Sequence, residues 1–168
     1  MYMSKKKFYG FGLVEVIIAI AIVSISLFAL SNAANLAFLF VDESTREGRA
    51  AFLLEEGAEA VRTLRDVSWT QKIAPLTSGN TYYPVFNVSW NLATTDPGAI
   101  EGIFTRTAVF EDVYRRNSDD DIVDAGAADP KTLDPGTKKV TIYVLWKKSG
   151  NKTTTRSLST YITNLFQN

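Results

Sequence analysis

The pattern of apolar and polar positions divides the chain into a leader, a long helix and a β-rich remainder. An uncharged run extends from Val16 to Val41. As a helix, a run of this length would span about 39 Å, which is enough to cross a hydrocarbon core of about 30 Å with some tilt. From Asp42 onward, apolar residues recur at spacings of three and four between charged residues: Ala50, Leu54, Ala58, Val61 and Leu64. The pattern predicts one helix over 11–66, with its first part, 11–41, in the membrane and its later apolar stripe docked on the remainder of the chain.

The remainder, 67–168, is predicted to be a β-rich head. Four segments are rich in aromatic and β-branched residues: Tyr82–Leu92, Ile103–Phe110, Lys138–Trp146 and Thr153–Ile162. Pro84 indicates that the first of them is an edge strand or a late start. Loops are expected over 67–81 and 111–137. The predicted fold class is therefore α+β, a long helix packed on a small antiparallel sheet of about four strands.

The basic leader, residues 1–10, contains Lys5, Lys6 and Lys7. The positive-inside rule places these lysines in the cytoplasm. The chain is therefore expected to cross the inner (cytoplasmic) membrane once, with its C-terminal head exported. Glu15 lies at the edge of the uncharged run, where a carboxylate is costly and usually has a use. If the chain is cut after Gly10, Phe11 gains a positively charged amine. Glu15 lies four residues later, within reach of such an amine on its own or a neighbouring subunit.

This arrangement resembles the prepilin signal of type IV pilins and type II secretion pseudopilins. In that family a basic leader ends in Gly, the mature chain starts with Phe or Met, and its fifth residue is Glu, as at Gly10, Phe11 and Glu15. The resemblance implies cleavage after Gly10 by prepilin peptidase, methylation of Phe11, and assembly through Glu15 with other subunits and an inner-membrane machinery. It also implies a pilin-like fold and a final place in a surface or periplasmic filament. Asn32 stands where major subunits of the family commonly carry proline. The run that begins at Phe11 resembles the start of minor pilins of the pilus modification type.

Two functions remain open at this point. The leading hypothesis is a structural, minor subunit of a type IV pilus or a secretion pseudopilus, and not an enzyme. The alternative is a membrane-anchored extracellular binding module that never polymerises, whose N-terminus would be Met1 instead of Phe11. Motility, DNA uptake, adhesion and secretion are not distinguished by the sequence.

Composition narrows the chemistry that the chain can perform. The 168 residues include no Cys and no His, with 18 basic and 18 acidic side chains. Thiol nucleophiles, imidazole bases and the usual zinc sites are therefore excluded. The balance of charges does not suggest nucleic-acid binding, which would need a basic patch. An exported head without disulfides has to rely on its apolar core.

The acidic segment of the second loop is the only cluster that looks like a ligand site. Four of its residues offer oxygens of the kind that Ca²⁺ prefers: Asn117, Asp119, Asp121 and Asp124. The spacing lacks the glycine and glutamate of an EF-hand, and Asx turns in a solvated loop account for the same residues. The favoured prediction is therefore no metal and no cofactor.

Two tripeptides fit the acceptor pattern for N-linked glycosylation: Asn87-Val88-Ser89 and Asn151-Lys152-Thr153. Asn87 lies inside a predicted strand and Asn151 in a predicted turn. Only Asn151 is therefore expected to be sterically accessible.

Overall fold

The computed structural model describes residues 12–148 and 152–166. Helix α1 runs from Leu13 to Val67, one residue beyond its predicted end. The short helix α2, Trp69–Lys72, follows, and the Ser68 side chain caps it by accepting a hydrogen bond from the Gln71 N–H at 3.2 Å. The chain forms two compact units that divide between Thr45 and Arg46.

The second unit is built around the later turns of α1. The predicted stripe of Ala50, Leu54, Ala58, Val61 and Leu64 is buried, as the periodicity required. Three further helix residues are buried beside it: Leu53, Gly57 and Ala60. The core of this unit therefore begins on one face of the helix, while the charged face stays open to solvent.

The opposing layer is a six-stranded antiparallel sheet. Its strands are β1 (Thr81–Asn87), β2 (Ser89–Ala93), β3 (Thr105–Arg116), β4 (Ile122–Val123), β5 (Lys131–Lys147) and β6 (Thr153–Thr163). The order is β2-β1-β3-β5-β6, and β4 pairs with β3 beyond the end of β1. The inner face contributes Phe110, Val140, Ile142, Val144 and Trp146 to the core. The predicted α+β fold of the pilin type is confirmed.

The first predicted strand is wrong in one respect, because it is two strands. The segment Tyr82–Leu92 turns back at Val88, so that β1 and β2 form a tight hairpin with Phe86 opposite Trp90. Trp90 and Leu92 pack against the core only after this reversal. Local propensity favours one continuous strand here, and tertiary packing overrides it. Pro84 is tolerated because β1 pairs with β3 only at Thr81 and Tyr82, before the proline is reached.

The predicted loop over 111–137 is also wrong over much of its length. Strand β3 continues to Arg116 and β5 already begins at Lys131, with a register shift after Asp112. The sequence of this region is charged and contains two prolines, which is typical of loops. These charged side chains form ion pairs across the strands, such as Lys139 with Glu111, whose Nζ and Oε2 atoms are 3.0 Å apart. Such pairs stabilise a sheet on its solvent-facing side.

Candidate functional site

The first turn of α1 presents Glu15. The Gly12 carbonyl accepts hydrogen bonds from the N–H of Glu15 at 3.0 Å and of Val16 at 3.3 Å, and the helix begins at Leu13. A carboxylate in the first turn is favoured by the positive end of the helix dipole. Glu15 is also exposed, so its side chain is open to an outside partner. Gly10 and Phe11, the predicted cleavage residues, lie outside the described residues.

The surface that follows Glu15 is apolar and uncovered. Every residue from Gly12 to Asp42 is exposed, including Phe28, Phe38 and Phe40, which are each more than two-thirds accessible. Within the described residues, α1 is the one helix long and apolar enough to cross a membrane. The Ser26 hydroxyl donates to the Ile22 carbonyl at 2.8 Å, so this polar group is satisfied inside the helix. Such a surface needs a bilayer or neighbouring apolar helices around it.

A buried cation in the head was missed by the sequence reasoning. The Arg106 side chain is only 4% exposed, and its Nη1 lies 3.0 Å from Oε2 of Glu56 on α1. Arg106 also donates to the carbonyls of Leu53 at 3.4 Å and Pro84 at 3.2 Å. Its guanidinium carbon lies 5.3 Å from the centre of the Trp90 ring, a cation–π distance. Arg106 therefore ties the helix to β1 and β2.

The signal for this cation was present in the sequence. Phe104, Arg106, Ala108 and Phe110 have the same parity, and all four are buried in the structure. An arginine on the apolar phase of a strand indicates a buried, partnered charge. Among the described residues its Nε has no hydrogen-bond partner. The role of Arg106 is structural, because its charged groups are directed to the helix and the hairpin.

The acidic segment is held by basic side chains of the same region. Arg116 Nη1 lies 2.7 Å from Oδ2 of Asp119, and Arg115 Nε lies 2.7 Å from Oδ2 of Asp134. The hydrogen bond from Arg116, together with the Asp121 N–H, lowers the pKa of Asp119. Partial burial acts to raise the pKa of Asp134, but hydrogen bonds from Arg115, the Thr137 hydroxyl and the Gly136 N–H outweigh it and leave that pKa below its usual value.

The four calcium candidates are not brought together around one point. Oδ1 of Asn117 accepts from the Thr132 hydroxyl at 2.8 Å, and Oδ1 of Asp124 accepts from the Gly126 N–H at 2.8 Å. Oδ1 of Asp119 accepts from the Asp121 N–H at 3.2 Å in an Asx turn. Across residues 12–148 and 152–166, no group of three or more His, Cys, Asp or Glu side chains is arranged to hold a metal ion. The expected absence of calcium binding stays a prediction for experiment.

Comparison with known proteins identifies the N-terminal region. The family model of the prokaryotic N-terminal methylation motif matches residues 5–31. The chain carries the signal of type IV pilins and pseudopilins. No curated protein and no solved structure matches the chain.

The pilin signal covers all three residues that the sequence singled out. Gly10, Phe11 and Glu15 lie inside the matched segment, and so does the exposed apolar surface from Gly12 to Ser31. The recognition of this family from the sequence is confirmed. The motif and the apolar helix together are typical of membrane-anchored, pilin-like proteins. Pilin-type signals occur on structural subunits, whereas the pilus modification subtype is not distinguished by the motif.

Proposed function

We propose that this chain is a structural, minor subunit of a type IV pilus or a type II secretion pseudopilus. Prepilin peptidase cuts it between Gly10 and Phe11, and the new Phe11 amine is methylated and keeps its positive charge. The observation that carries the proposal is the methylation motif at residues 5–31, which includes Glu15 and the first turns of the exposed apolar helix.

The processed subunit waits in the inner membrane with its head exported. On assembly, the apolar face of α1 leaves the lipid for a core of neighbouring helices, whose apolar side chains replace the acyl chains. Glu15 then pairs with the Phe11 amine of a neighbouring subunit. An unpaired charge of either sign would be costly in such a core, so this pairing selects the register between subunits.

Processing is tested by the intact mass of the protein isolated from its native host. The expected mass is that of Phe11–Asn168 plus one methyl group. Surface filaments that retain Lys5, Lys6 and Lys7 would contradict the proposal. A chain that keeps Met1 and never enters filaments would instead support the membrane-anchored binding module.

Assembly is tested by substituting Glu15. We expect Glu15→Gln to be cleaved normally and to enter filaments poorly, because the shape is kept while the charge that pairs with the amine is lost. Glu55→Gln is the matched control, since Glu55 is an exposed carboxylate of the same helix in its head-bound part. Equal incorporation of both variants would show that Glu15 does not supply the docking charge.

A further inference from the structure

The turn between β1 and β2 carries an acceptor tripeptide that is exposed in the structure. Asn87 is the last residue of β1, Ser89 is the first of β2, and both are exposed. Val88 between them is 94% exposed and has a φ of 67°. The expectation that Asn87 would be sterically inaccessible inside a strand is therefore wrong, because the chain reverses immediately after it. Asn151, the other candidate, lies outside the described residues.

The pairing of the two strands places the amide beside the hydroxyl. Asn87 and Ser89 are direct partners in the antiparallel ladder. Side chains of such a pair leave the same face of the hairpin, with their Cβ atoms about 5 Å apart. Within the described part of the chain, no hydrogen bond occupies the Asn87 amide or the Ser89 hydroxyl. Both groups of the tripeptide are thus available together on one exposed surface.

The hairpin is anchored directly behind this surface. Phe86 and Trp90 form the next pair of the ladder, and their rings meet edge to face with centres 5.3 Å apart. Arg106 packs over Trp90 and fixes that side chain against the head. A β-branched residue with positive φ is a local outlier that persists only where its surroundings hold it, and such outliers concentrate at functional positions. Here the anchoring holds Val88 at the apex and directs the tripeptide away from the core.

We propose that Asn87 is an acceptor for an N-linked saccharide, added after the head is exported. The donor class is a saccharide carried on a polyprenyl diphosphate. A bond forms between Nδ2 of Asn87 and C1 of the first sugar, and the bond from C1 to the diphosphate oxygen breaks. The amide loses one proton to a base of the transferase, and the carrier leaves as the polyprenyl diphosphate. The step involves no oxidation or reduction.

The Ser89 hydroxyl has a defined part in this proposal. A transferase has to bind the acceptor segment as well as the amide, and a hydroxyl beside the amide gives it a second hydrogen-bonding group at a fixed distance. The saccharide would also cover the apolar apex, where Val88 is fully in solvent and Phe86 is 65% exposed. The proposal rests on the export of the head, which belongs to the proposed function above.

The experiment is peptide mass spectrometry of the full-length protein isolated from membranes of its native host. We expect a saccharide mass on the peptide containing Asn87, complete loss of that mass in Asn87→Gln and Ser89→Ala, and its return in Ser89→Thr. Val88→Gly keeps the tripeptide and should keep the saccharide. Asn80→Gln, an exposed asparagine outside any tripeptide, is the control for the substitution itself.

An unmodified Asn87, or a modification that survives Ser89→Ala, would overturn the proposal. Digestion of the head by protease added outside the inner membrane shows separately whether the head is exported. Exported but unmodified protein contradicts the saccharide alone, whereas a protected head contradicts the proposed function as well.

Discussion

Gly57 lies where α1 closely approaches the sheet, and replacing it with alanine tests that approach. A Cβ built at Gly57 would lie 2.8 Å from Cγ2 of Ile142 and 3.1 Å from Cδ of Arg106. Carbon atoms pack best at about 3.5–4.0 Å, so the first contact is too short by about 0.7 Å. Ile142 is fully buried and β-branched, and Arg106 is held by Glu56. Neither neighbour can move away at little cost.

Gly48 on the same helix provides the matched control. A Cβ at Gly48 would have no heavy atom within 4 Å. Alanine is favoured over glycine by about 1 kcal/mol in a helix interior at both positions, so this gain cancels when the two variants are compared. What remains is the overpacking cost at Gly57, about 1–3 kcal/mol. For a head of this size, that difference corresponds to roughly 4–12 °C in melting temperature.

The assay is thermal unfolding of the full-length protein in detergent micelles, followed by near-ultraviolet circular dichroism. Trp69 and Trp146 are almost completely buried in the head, so their signal reports its tertiary packing. We expect Gly48→Ala to melt at or above the wild-type temperature and Gly57→Ala to melt below Gly48→Ala by the stated interval. Gly57→Ala should cost less in an Ile142→Ala background, because the shortest contact is then absent. Equal melting of the two alanine variants would refute the close approach.

Three further predictions concern the head. Arg106→Met should lower the free energy of unfolding by about 2–3 kcal/mol, since the stem is kept while two buried carbonyls and Glu56 lose their donor; denaturant titration measures this loss, and a neutral result would contradict it. Because the folded pKa of Asp134 is lower than its unfolded value, its contribution to stability is present above about pH 4 and disappears as the pH falls through the folded pKa. Asp134→Asn should therefore destabilise the head at pH 7 more than at pH 3, and an equal effect at both pH values would be evidence against the ion pair with Arg115. Saturating Ca²⁺ should leave the melting temperature unchanged, whereas binding at a free Ca²⁺ concentration of a hundred times Kd would raise the free energy of unfolding by about 2.7 kcal/mol. A rise of several degrees that is lost in Asp121→Asn would contradict this prediction.

The helix and its buried stripe could be predicted because each depends on neighbours along the chain. A 3.6-residue period places Ala50, Leu54 and Val61 on one face whatever they contact. The hairpin at Val88 could not be predicted in this way. Asn87 and Val88 lack the glycine that usually supplies a left-handed turn, and the reversal is stabilised by Trp90 and Leu92 against residues far away in the chain.

The same distinction separates the parts of the charged region. The residues of β4 and of the outer halves of β3 and β5 resemble a solvated loop when they are read locally. Their order comes from the contact of Arg115 with Asp134 across the paired strands β3 and β5, and from Lys131, which donates to the carbonyls of Asp124, Ala125 and Ala127. A charged segment that also contains prolines can therefore form a strand where a partner across the sheet neutralises its charges.

The N-terminal signal can be recognised from the sequence alone for a physical reason that does not apply to the head. A peptidase and a bilayer both act on a linear segment: one reads the basic leader and the small residue before the cut, and the other responds to the length of the uncharged run. Glu15 stands out against that run without any knowledge of the fold. Arg106 can be recognised in the sequence only as a charge on the apolar phase of a strand, because its partners are contributed by α1, β1 and β2. Evidence on what this chain does beyond the proposed assembly therefore has to come from the head, where Asn87 and the hairpin around it are the most direct place to begin.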